Sequence, residues 1–101
     1  MNQLWEQLNQ AQERQLTYTN RMTLWVNRFS GTARLASEAF QEIAPFIPST
    51  QKGDKFSEYL RQMQEQMEQI SEAVQDFAKT EVEKSLILGQ IAHASRTSNH
   101  E

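Results

Sequence analysis

Cysteine is absent from the 101 residues, which removes disulfides, thiolate nucleophiles and cysteine metal ligands together. Histidine occurs only as His93 and His100, glycine three times and proline twice. That leaves little from which to build a phosphate-cradling loop or a loop-rich catalytic cleft. No apolar run approaches the ~18 residues needed to cross a bilayer. The opening Met1-Asn2-Gln3-Leu4-Trp5-Glu6 lacks the basic start and apolar core of a signal peptide. A cytoplasmic location is expected, with signal-independent secretion as the alternative.

What is abundant is helix-forming. Thirteen residues are Gln and eleven are Glu, and these, with Leu, Met, Ala and Arg, lose little side-chain freedom in a helix. The helix breakers gather in one stretch, Pro45-Phe46-Ile47-Pro48-Ser49-Thr50-Gln51-Lys52-Gly53-Asp54, with Asp54 placed to cap the second helix. The expected organisation is one domain over residues 1–96. It has a first helix at about 3–44, a loop at 45–53, a second helix at about 54–95 and a fraying tail at 97–101. Ser30-Gly31-Thr32 is a place where the first helix could bend.

Apolar spacing carries the fold reading. On the first segment Leu4, Leu8, Ala11, Gln15, Tyr18, Met22, Trp25 and Phe29 alternate steps of four and three, the heptad of a coiled coil. An extra four-step then continues the seam through Ala33, Ala36, Phe40 and Ile43. On the second segment the seam reads Phe56, Leu60, Met63, Met67, Ile70, Val74, Phe77, then drifts to Ala78, Val82, Ser85, Leu88 and Ile91. If the chain doubles back, facing residues have position numbers that sum to 99 or 100, with polar Gln15 opposite polar Ser85. The fold class is therefore all-α. It is an antiparallel two-helix, coiled-coil-like hairpin, expected to assemble into a four-helix bundle or larger helical oligomer, because two helices of ~63 Å bury only a thin core.

The residues left off the seam point to an interaction protein. Trp5, Leu16, Leu24, Leu35, Leu86 and Ile87 form an apolar remainder that a partner would cover. Arg14, Arg21 and Arg28, seven apart, form a row with no matching acidic row in its own hairpin, Gln66 and Ala73 occupying the opposite flank. These Arg residues would form a solvated flank whose aliphatic stems cover the seam or, as the functional reading, set register between hairpins. Phe46 and Ile47 would plug the closed end, the alternative being an exposed hook for a partner.

No enzymatic activity, cofactor or metal is expected. His93 would need a second ligand three or four residues away, where Gly89, Gln90, Arg96 and Thr97 stand, and a role at the helix C-terminus suits it better. Glu65, Glu68 and Glu72 share a face without a histidine and read as a solvated stripe. Three Arg on an acidic chain are a weak phosphate footprint, so nucleic acid is not an expected partner.

No motif identifies a family. The format is similar to the small Trp-x-Gly secretion substrates, although this chain has Phe46-Ile47-Pro48 in the bend. It resembles type III needle subunits in its proline-containing bend, Pro45 to Ser49, and phasins in its Gln-rich, Cys-free helices. The leading expectation is a non-enzymatic scaffolding or interaction protein, binding itself or another helical protein. The alternatives are an adaptor, chaperone or small secreted-type hairpin for another protein, and a phasin-like surface-active protein on a lipid membrane or polymer granule.

Overall fold

The computed structural model describes residues 2–43 and 50–99, with side chains omitted at 43, 50–53 and 97–99. It contains two helices, α1 (Asn2–Ile43) and α2 (Thr50–Asn99), packed against each other as an all-α hairpin. Two boundaries differ from expectation. α2 begins at Thr50, so Gly53 and Asp54 lie inside it and Asp54 is not its cap. Pro48 restricts the residue before it, not those after, and nothing between Thr50 and Lys52 resists helix. α2 also runs on to Asn99 instead of stopping at 95, because no Gly or Pro follows Gly89. Phe46 and Ile47 lie outside the described residues.

α1 passes through Ser30-Gly31-Thr32 without a break. A Cβ built at Gly31 or Gly89 meets nothing within 4 Å. Gly31→Ala and Gly89→Ala should therefore each raise stability by about 0.5–1 kcal/mol, removing only the helix cost of glycine. Urea melts of the two variants check this, and a loss in either would mean its site is occupied.

Helix–helix packing groups the chain into two compact units, Met1–Asn20 with Ala73–Glu101, and Arg21–Glu72. In the first, Leu8, Ala11, Ile87 and Ile91 form a buried cluster with Leu4 packed against it. Across it Arg14 meets Glu83, and Gln15 meets Glu81 and Lys84. In the Arg21–Glu72 unit Gln66 bonds Thr32, and the Phe40 and Phe56 rings lie 5.6 Å apart. All these pairs sum to between 96 and 99, close to the expected antiparallel register.

The seams themselves are corrected. On α1 the step of three after Phe29 brings in Thr32, Ala36 and Ala39, all buried, and leaves Phe40 54% exposed. The heptad therefore runs without the extra four-step. On α2 the inward residues are Phe56, Tyr59, Met63, Gln66, Ile70, Ala73, Phe77, Thr80, Lys84, Ile87, Ile91 and Ala94. The expected Leu60, Met67, Val74, Val82 and Leu88 are exposed. The reason is size. Ala11 and Ala73 are fully buried, with Ala36, Ala39 and Thr80 nearly so. Small side chains let two backbones approach, and close approach outweighs burying a larger residue at a wider spacing. Polar burial is offset locally, since the Thr32 hydroxyl donates to the Arg28 carbonyl and Thr80 to that of Asp76.

Candidate interaction surface

With the seam positions named a and d in the usual heptad lettering, each helix has two flanks, e and g. Antiparallel packing sets g beside g and e beside e. The g flank is charged and polar. In the unit holding the chain ends it carries the Arg14–Glu83 ion pair at 2.6 Å. In the Arg21–Glu72 unit it carries Arg28, Leu35 and Glu42 of α1 with Lys55, Gln62 and Gln69 of α2. There the Arg28 guanidinium lies 4.7 Å from the centre of the Trp25 ring.

Two expectations about the Arg row change. Glu83, not Gln66 or Ala73, flanks it at Arg14, because α2 is turned by one residue from its expected face. Arg14 and Arg28 thus serve their own hairpin, while Arg21 is half-buried. The Arg14–Glu83 pair, with both side chains nearly half exposed, contributes about 0–1 kcal/mol. Of the expected apolar remainder, Trp5, Leu16, Leu24, Leu35 and Leu86 are exposed, but Ile87 is 6% exposed within the core cluster. Placing Leu88 on the seam pushes Ile87 to the side, and the structure reverses the two.

The seam holds a buried polar layer. Gln15, 8% exposed, donates to Glu81 Oε1 at 2.5 Å and accepts from Lys84 Nζ at 2.8 Å. Ser85, the expected partner of Gln15, is exposed. The Gln15 hydrogen bond, and then the Lys84 charge, hold the Glu81 carboxyl below its ordinary value of 4.5. A lowered folded-state value stabilises the fold above the ordinary value, and that stability is lost as pH falls through the folded one. The melting temperature should be flat from neutrality to about pH 5.5 and drop below about pH 4.5. Glu81→Gln should melt below the parent at neutral pH and match it in acid. Parallel pH profiles for the two proteins would disprove the assignment.

A second polar contact lies in the Arg21–Glu72 unit, where Gln66 Nε2 donates to Thr32 Oγ1 at 2.9 Å. Gln66 Oε1 is buried with no partner. A cleft of about 370 Å³ opens beside it, lined by Trp25, Gln62, Glu65, Gln66, Glu68 and Gln69. Glu58 and Glu65 of α2 both pair with Arg61, and the Arg61 hydrogen bonds lower the Glu58 carboxyl. Among the described residues no group of three His, Asp or Glu is placed to hold a metal. His93 is exposed and sits six residues inside the end of α2, beyond the last turn, whose basic residue is Arg96.

The opposite flank is the feature that hydrophobic spacing missed. In the Arg21–Glu72 unit the e and b positions are Thr23, Val26, Ser30, Ala33, Ser37 and Phe40 on α1, with Ser57, Leu60, Gln64, Met67 and Ser71 on α2. None is charged, and all but half-buried Ala33 are exposed. Every charged side chain described in this unit lies elsewhere. Among the described residues the unit's large exposed apolar side chains are Leu24, Val26, Leu35, Phe40, Leu60 and Met67, and four of these six belong to this face. The other unit, taken by itself, repeats the pattern. Its e and b positions include exposed Trp5, Leu16, Val74 and Leu88, and Glu81 is their sole charge among the described residues. Plotting charge rather than hydropathy on the two helices would have found both faces. No helix among the described residues is long and apolar enough to cross a membrane. No protein-family model matches the chain, and no curated protein or solved structure is significantly similar to it.

Proposed function

We propose that the chain is a non-enzymatic interaction protein, a helical hairpin that acts by packing against further helices, its own copies foremost. The carrying observation is an imbalance. Among the described residues only three large apolar side chains, Leu8, Ile87 and Ile91, are buried, while twelve remain 40–65% exposed. Burying such a side chain from full exposure contributes about 1.5–3 kcal/mol, and burying each of the twelve from its present state roughly half of that. Part of the sum is offset by the cost of association. A scaffold or adaptor needs no more chemistry than this, and the polar seam contacts supply the rigidity with which such a surface is presented.

The test is molar mass by light scattering together with circular dichroism on one sample. The expected result is a strongly helical protein whose mass is an integer multiple, two or more, of 11.8 kDa. A well-folded monomer at every concentration would overturn self-association. A chain that aggregates alone and becomes monodisperse with a helical peptide would transfer the role to a different partner.

A further inference from the structure

We propose that a second copy of this chain docks on the uncharged face of the Arg21–Glu72 unit, related to the first by a twofold axis that sets α1 of one copy across α2 of the other. The proposal rests on the interaction reading above and assigns it a surface and an occupant.

Three observations favour this occupant. Among the described residues the face carries no charge of either sign, so it meets its own copy without repulsion and offers nothing for a partner of complementary charge to read. Depletion of charge with retention of large apolar side chains is what separates an interface core from ordinary surface. The unit's other faces carry mixed charge, including Glu58, Glu65, Glu68 and Glu72 along α2. A copy docking there would have to match each charge with an opposite one, which the uncharged face does not require.

The second observation is shape. The middle of the α1 stripe is shallow, made of Ser30, Ala33 and Ser37, whereas α2 presents Leu60 and Met67, 46% and 58% exposed. A twofold axis is isologous: if a residue i meets j, then j meets i. Setting α1 across α2 of the second copy places the hollow of each against the knobs of the other. The face is therefore complementary to itself in the crossed arrangement, and setting α1 on α1 would leave a gap.

The third is need. Among the described residues the buried apolar ones of this unit are Ala36 and Ala39, and its larger seam residues, Met22, Trp25, Phe29, Met63 and Ile70, are only half-buried. Phe40, on the uncharged face, has its ring tilted against half-buried Phe56 and is still 54% exposed.

The test compares dissociation constants by sedimentation equilibrium for the parent and three single variants. Met67→Glu and Ser30→Glu place a charge on the face at exposed positions that the hairpin does not use. Leu24→Glu does the same off the face, at a residue 47% exposed. The expected result is a dimeric parent, dimerisation weakened about 100-fold or more by either face variant with helicity unchanged, and less than about threefold change in Leu24→Glu. Should Met67→Glu lose helicity, Ser30→Glu decides alone, since a serine in solvent has no packing to lose. A parent that dissociates with Leu24→Glu and not with the face variants overturns this assignment and leaves the interaction reading standing. A parent that stays a folded monomer, or that floats with lipid vesicles as a monomer, overturns the assignment of a second copy.

Discussion

Ile87→Ala should lower the stability of the hairpin by about 2–5 kcal/mol, whereas Leu86→Ala, one residue earlier, should change it by less than about 0.5 kcal/mol. Ile87 is 6% exposed and packs in one cluster with Leu8, Ala11 and Ile91, while Leu86 is 65% exposed. Truncating Ile87 removes its transfer free energy and leaves a cavity that neighbouring backbones held by alanine contacts cannot close. Domains of this size have about 5–15 kcal/mol in total, so the loss removes a large share of it. Urea denaturation followed by circular dichroism reads the difference, and the slope of the transition should be the same in both variants. Equal costs at 86 and 87 would mean that α2 turns a different face inward.

The contrast between 86 and 87 also marks how far the sequence could be read. Helix content, the doubling back and the approximate register follow from a heptad interrupted near Pro45 and Pro48, and on α1 the seam is legible as far as Phe29. Beyond that residue two faces compete. Ala33 with Phe40 offers more apolar area, and Thr32 with Ala39 offers closer approach. The structure takes the second, with Thr32 and Ala39 buried. On α2 the same contest places Tyr59, Gln66, Ala73 and Thr80 inward, and Leu60, Met67 and Val74 outward. At these positions reading spacing by hydrophobicity favours the larger apolar residue, because it contains no term for the distance between helix axes. The turn of α2 by one residue that follows carries along the helix, so it also exchanges Ile87 with Leu88 and brings Glu83 beside Arg14. The uncharged face eluded the same reading for another reason: serine, threonine and glutamine are silent on a hydropathy scale, and only the absence of charge among them is informative.

Gln15→Leu together with Lys84→Leu should raise the stability of the hairpin by about 1–4 kcal/mol and at the same time loosen its register. Gln15 is 8% exposed, bridges Glu81 and Lys84, and has α1 seam neighbours Ala11 and Tyr18. Its amide has lost most of its water and regains hydrogen bonds, which leaves a small net gain. A pair of leucines would bury apolar surface instead, and Glu81, already exposed, would return to solvent without leaving an orphaned group. The single change Gln15→Leu behaves differently, because Lys84 then loses the carbonyl that accepts its hydrogen bond while its side chain is still only 21% exposed. That variant should be less stable than the parent. What the polar layer supplies is alignment. Slipping the helices by a heptad would carry Gln15 opposite an apolar residue, Ile91 or Phe77, and strand its amide, whereas leucine tolerates either setting. Thermal melting should therefore show the double variant above the parent and the single variant below it. Spin labels on opposite helices should give one distance in the parent and a broadened distribution in the double variant. A double variant with a single sharp distance would show that the alanine contacts alone fix the alignment and that Gln15 and Lys84 contribute only solubility to the seam.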